Sequence, residues 1–76
     1  MAISEKIKIL MVKKGAKQKE VAEALGISPE YFNNKLRGEK FTREELEKIA
    51  AALGATYNED PPPRAWFTLN DTREEI

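Results

Sequence analysis

A chain of 76 residues without His or Cys has room for one small domain and no material for a thiolate nucleophile, a disulfide, sulfur-ligated zinc or an imidazole base. Thirteen Lys and Arg balance thirteen Asp and Glu. A neutral total with a pI of about 6.3 speaks at first against a nucleic-acid partner, which usually meets a basic domain. The longest apolar run, Ile9-Leu10-Met11-Val12, is far below membrane-span length, and the amino terminus carries no signal-peptide pattern. The expected setting is therefore soluble and cytoplasmic, with no membrane partner, and Asn70-Asp71-Thr72 reads as a chance match to the glycosylation pattern.

The first helix is expected from Ser4 to Lys14, with Ser4 as its N-cap and Gly15 as its left-handed exit. Ile3, Ile7, Leu10 and Met11 recur on one helical face, with Lys6, Lys13 and Lys14 around it. A second helix spans Gln18 to Leu25, turning Val21, Ala22 and Leu25 inward and closing at Gly26. Ser28 then caps a third, with Pro29 in the first helical position, where no amide donor is needed; it reaches Arg37 and stops at Gly38. Phe41 is an apolar plug in a polar connection. Thr42 and Glu45 form a capping box that opens a fourth helix, whose Leu46, Ile49, Ala50 and Leu53 make a buried stripe ending at Gly54.

Beyond Gly54 the pattern changes. Pro61-Pro62-Pro63 demands an extended, stiff connection. Ala65-Trp66-Phe67-Thr68-Leu69 has the aromatic and β-branched content of a strand. That strand has two candidate partners, the region of Tyr57 or Glu74–Ile76. The fold class is thus mainly α: a compact four-helix domain over residues 1–54, with a Pro-rich connection and a short strand or hairpin over residues 55–76 packed on it.

The informative segment runs from Gln18 to Leu36. Two short helices joined by three or four residues around a glycine form a helix-turn-helix. Ala22 is small where the third helix must cross the second closely, and Gly26 admits the positive φ of a tight turn. Val21, Leu25, Ile27, Phe32 and Leu36 fill the angle between them. Residues 4–54 resemble the Cro and lambda-repressor-type helix-turn-helix family, also called the xenobiotic-response-element family. The resemblance rests on Gln18, Ala22, Leu25-Gly26-Ile27-Ser28, Lys35-Leu36-Arg37-Gly38 and Ile49-Ala50-Ala51-Ala52-Leu53-Gly54. It covers about two thirds of the chain. Members of the family commonly continue into a fifth helix, and residues 55–76 depart from that pattern. The helix capping and the Glu, Lys and Ala filling of exposed positions also resemble a computational redesign of such a domain, which would favour a monomer on a short asymmetric site.

The resemblance implies sequence-specific binding of double-stranded DNA, in the manner of a transcriptional repressor, with the third helix, residues 28–37, in the major groove. On a helical wheel Glu30, Asn33, Asn34 and Arg37 fall on one polar stripe, away from Phe32 and Leu36. Two adjacent Asn are unusual for a merely solvated helix face. Asn can pair bidentately with adenine and Arg with guanine, while Glu30 can accept from a cytosine amine. Ser28, at the helix start, sits close enough to reach a base, joining these contacts, or a phosphate. Phosphate contacts are expected from Gln18 and Lys19 at the start of the second helix, where unpaired amides and the dipole favour anions, and from Lys17, Tyr31, Lys35 and Lys40.

The neutral total conceals an asymmetry. Residues 1–40 carry nine cations against five carboxylates, and residues 41–76 four against eight, so a basic half is joined to an acidic one. Trp66, Phe67 and Leu69 either cover the far side of the core or pair the strand with a twofold mate, making a monomer or a homodimer. An alternative function is a protein-interaction module of the antitoxin or anti-repressor kind. An enzyme is not expected, nor a cofactor, a metal site or a small-molecule ligand. The acidic set Glu44, Glu45, Glu47, Glu59 and Asp60 reads as solvated surface, with no nucleophile or phosphate loop beside it.

Overall fold

A computed structural model of the chain describes residues 3–61 and 64–76. Four helices come first: α1 (Ile3–Lys14), α2 (Gln18–Leu25), α3 (Pro29–Gly38) and α4 (Arg43–Ala52). Two strands follow, β1 (Ala55–Glu59) and β2 (Ala65–Leu69). The Cα radius of gyration is 11.3 Å, against about 11.4 Å for a compact chain of this length, so the tail folds back on the helices. Among the described residues no helix is long and apolar enough to cross a membrane.

The core draws on every element. Ile7, Leu10 and Met11 of α1, Val21 and Ala22 of α2, Phe32 and Leu36 of α3, and Leu46, Ile49 and Ala50 of α4 are buried, together with Leu53, Ala55, Phe67 and Leu69. Ile3, Leu25, Ile27 and Phe41 are half-buried against it. Phe41 plugs the α3–α4 connection by meeting Phe32 edge-to-face at a centroid separation of 6.0 Å. Ala22 is 0% exposed, α2 packs on both α3 and α4, and Gly26 closes α2 at φ 73°. A left-handed residue there lets the Ile27 amide donate back to the Ala22 carbonyl at 3.0 Å, satisfying one of the orphan groups of the helix end.

Two helix ends depart from the sequence expectation. Ser4 is not an N-cap: it lies inside α1, which starts at Ile3, and it is buried. Its hydroxyl donates to the Leu36 carbonyl at 2.6 Å, satisfying a carbonyl that the end of α3 leaves without a helical partner. The tertiary partner prevails over the local cap because the hydroxyl is shut away from water. Gly38 likewise does not end α3. The helix includes it, and Glu39 takes the left-handed position at φ 56°. That conformation costs a non-glycine residue roughly 1–2 kcal/mol. The Glu39 carboxylate gains a bond from the Ser4 amide at 3.4 Å, placing an acid at the positive end of α1.

The two candidate pairings of the β2 segment both form. β1 pairs antiparallel with β2 in the register Ala55↔Leu69, Tyr57↔Phe67 and Glu59↔Ala65. On the other edge of β2, the Phe67 amide donates to the Ile76 carbonyl at 3.3 Å, Ile76 returns the bond at 2.9 Å, and the Leu69 amide donates to Glu74 at 2.8 Å. Both edges of β2 are thereby occupied within the chain. Phe67 and Leu69 enter the core, whereas Trp66 is half-buried on the opposite face, with the Arg64 guanidinium 5.9 Å from its ring. The hairpin connection carries Asp60, whose amide donates to the Arg64 carbonyl at 3.0 Å; the extended run expected at Pro62 and Pro63 lies outside the described residues.

Charge ties the halves together. Lys13 pairs with Glu74 at 2.9 Å, Lys14 with Asp71 at 3.2 Å and Lys35 with Glu45 at 3.0 Å. Lys6 donates to the Ala65 carbonyl at 2.8 Å. The Lys35–Glu45 pair is the best shielded of these ion pairs, with side chains 13% and 22% exposed, and it fastens α3 to α4. Burial pushes the Glu45 carboxyl up, but the Thr42 amide and the Lys35 ammonium outweigh it and hold the group below its ordinary 4.5. The hydrogen bond to Glu45 raises Lys35 above its ordinary 10.5. A depressed acid contributes stability above about pH 4.5 that is lost as pH falls through the folded value. A raised base contributes below about pH 10.5, and that contribution is lost as pH rises through the folded value.

Two outcomes follow from this packing. Ala22→Leu should cost about 1–3 kcal/mol of urea-measured stability by overfilling the core around a fully buried position, while Ala24→Leu, on the exposed face of α2, should leave the midpoint nearly unchanged; equal losses would contradict tight packing at Ala22. Glu45→Gln keeps the capping box but removes the charge, so its stability should fall less than that of the parent chain between pH 7 and pH 3. Parallel acid limbs in the two proteins would show that Glu45 is not a source of the pH dependence.

Candidate nucleic-acid interface

The outer face of α3 is fixed by its inner one. With Phe32 and Leu36 buried, the 3.6-residue period turns Glu30, Asn34 and Arg37 outward, and all three are exposed. Asn33 belongs to the same stripe on a wheel but is half-buried, so it sits at the margin of the face. Arg37 Nη2 donates to Asn34 Oδ1 at 2.8 Å, joining two of the expected base-reading residues. Ser28 is the N-cap of α3, extended at φ −73° and ψ 154°, and its hydroxyl accepts from the Tyr31 amide at 3.1 Å. Capping consumes part of its hydrogen-bonding capacity but leaves the residue exposed.

The expected phosphate-contacting residues fall into two groups around this face. Tyr31, Lys35 and Lys40 meet Asn34 around one shallow depression. Tyr31 is 52% exposed, and its ring lies 5.0 Å from the Lys35 ammonium. Lys35 is half-buried and already committed, to Glu45 and to the Lys40 carbonyl at 3.3 Å. A phosphate at Lys35 would have to share that ammonium with Glu45. Lys40 is exposed beside Gly38, at which a Cβ would stand 3.5 Å from the Lys40 side chain.

Lys17, Gln18 and Lys19 form the second group, all exposed at the start of α2. Lys17 occupies the N-cap position with an extended backbone. Its side chain has no acceptor atom, and the only side-chain bond of the cap is the Glu20 carboxylate accepting the Lys17 amide at 2.9 Å. The Gln18 and Lys19 amides follow at the first two helical positions, where the helix itself supplies no acceptor.

The charge asymmetry therefore resolves spatially. Among the described residues, Lys6, Lys13, Lys14 and Lys35 are spent on the carboxyl-terminal part of the chain. Lys17, Lys19 and Lys40 make no side-chain ion pair there and remain exposed. On the acidic side, Glu44 and Glu47 pair along α4 with Lys48 and Arg43 at 3.7 and 3.5 Å, and Glu59 approaches Arg43 at 3.9 Å. Sequence reasoning missed the tie between Glu45 and α3: the capping box flagged Glu45 as a local residue, and nothing in the spacing announced Lys35 as its partner.

The family model of the Cro/C1-type HTH DNA-binding domain matches residues 6–59, spanning all of α2, α3 and α4 and most of α1. The repressor protein CI of Enterobacteria phage phi80 is 40% identical over 53 residues, which cover 70% of this chain and 22% of that protein. The chain thus spans about a fifth of the length of that curated relative. No solved structure matches it. With the family model covering more than half of the sequence, the chain belongs to the Cro/C1-type helix-turn-helix DNA-binding domains.

Proposed function

We propose that this domain reads a specific double-stranded DNA sequence by placing α3 in the major groove and serves as the DNA-binding part of a repressor of transcription. The observation that carries this reading is the outward stripe of Glu30, Asn34 and Arg37 on a helix whose opposite side buries Phe32 and Leu36 in the core. A polar stripe rigidly mounted on a packed scaffold has the shape and chemistry that base-edge recognition requires. Similarity to a phage repressor supports the regulatory role, with DNA as the partner and no catalytic step.

In this reading Ser28, Glu30, Asn33, Asn34 and Arg37 face base edges, with Asn33 at the margin. Lys17, Gln18 and Lys19 approach one phosphate through side chains and open amides, while Tyr31 and Lys40, and more weakly Lys35, approach another. Phosphate contacts set register and orientation, and base contacts set sequence. The domain is neutral overall, so affinity leans on these placed contacts more than on a diffuse attraction to the duplex.

The two classes separate in a binding titration. Arg37→Ala should weaken binding to the preferred duplex by about 1–3 kcal/mol and relax selectivity at one base pair. Lys17→Ala should weaken binding to all duplexes alike and flatten the slope of log affinity against log salt by about one unit. Fluorescence anisotropy on the best duplex from a random library and on a scrambled one, at two salt concentrations, reads both. Equal losses for Arg37→Ala on the two duplexes would remove base readout by α3, and unchanged binding by both variants would favour a protein-interaction role for the fold.

A further inference from the structure

We propose, building on the major-groove reading above, that Asn34 and Arg37 act as one recognition unit in which Asn34 positions Arg37 for guanine and does not itself read adenine. The two residues are three apart on α3, the spacing at which helix side chains meet, and both are exposed. Arg37 Nη2 donates to Asn34 Oδ1 at 2.8 Å.

The consequences follow from the donor and acceptor inventory. Bidentate recognition of adenine needs an amide oxygen that accepts from N6–H while the amide nitrogen donates to N7. Here that oxygen is turned to a guanidinium, and the positive charge beside it disfavours the approach of adenine's N6 amino hydrogens. Arg37 has five N–H donors and gives up one. A parallel pair of donors remains for guanine O6 and N7, the two acceptors that an arginine fork fits. An arginine is among the side chains that lose most rotamer freedom when ordered. Restraining it before DNA arrives lowers that loss on binding.

The surroundings of Arg37 support the same assignment. Among the described residues it makes no salt bridge, although Glu30 shares its stripe. Its charge is therefore not neutralised within the described structure and is available to the electronegative edge of guanine. Glu30, two turns toward the start of α3, is left as the acceptor of the stripe, so the face carries acceptors at one end and donors at the other. Asn34 is then a positioning residue, and its contribution to sequence choice should appear at the base that Arg37 reads.

The test is selection from a random duplex library with the 76-residue chain and its Asn34→Ala, Arg37→Ala, Asn34→Asp and double-alanine variants. Parent and variants are then compared by anisotropy on the best duplex. Both single alanine variants should lose selectivity for guanine at the same base pair, by about fivefold or more. The double variant should bind within about twofold of Arg37→Ala alone. Asn34→Asp, which keeps an acceptor for Arg37, should retain the guanine preference even as its added negative charge lowers affinity for all duplexes. The proposal is overturned if Asn34→Ala instead erases an adenine preference at a different base pair, or if the two losses multiply in the double variant. A parent chain that prefers no duplex overturns the groove reading itself, and the pairing with it.

Discussion

The exposed chemistry of this domain depends on the burial of Phe32. Its ring is 0% exposed, set edge-to-face against Phe41 and carried on a helix that packs on α2. Removing a ring of this size from water contributes about 1.5–3 kcal/mol. More important here, it sets the rotation of α3 about its own axis. Any other rotation would bring Glu30 or Asn34 toward the core and place Phe32 in solvent. A helix of ten residues has little stability of its own in water, so the orientation of the polar stripe is a consequence of packing.

Polar bonds then hold the ends of that helix. At its start Ser28 accepts from the Tyr31 amide; at its end Ser4 and Glu39 link the Leu36 carbonyl and the left-handed exit to α1. The Lys35–Glu45 pair reaches across to α4. Each of these bonds lies beside or behind the stripe. They spend one expected DNA-contacting cation, Lys35, on rigidity. A fixed face of this kind reduces what must be ordered when a ligand binds.

The tail solves a problem of size. A small chain buries a limited fraction of its surface, and four helices of eight to twelve residues do not enclose all of one another. Phe67 and Leu69 close the open side, with Tyr57 packed on Phe67 at a centroid separation of 5.6 Å. Carboxylates of the tail meet Lys13 and Lys14. The acidic half of the sequence thus pairs with some of the cations, and among the described residues those at the start of α2 are not its partners.

Local sequence determined the helices, because each carries its own signals: a 3.6-residue apolar period, the Thr42–Glu45 capping box and the left-handed Gly26. It also placed Glu30, Asn34 and Arg37 on one helical stripe, which the burial of Phe32 and Leu36 then turned to solvent. What depended on partners distant in the chain was not legible. Ser4 looked like a cap and became a tertiary donor to Leu36, 32 residues away. Gly38 looked like a stop, yet Glu39 turned left-handed where its carboxylate meets the Ser4 amide. The β2 segment offered two partners, and the fold used both, one on each edge. Periodicity and capping report interactions within about a turn of helix, whereas a buried hydroxyl, a shielded ion pair or a strand edge takes its partner only when the chain is folded.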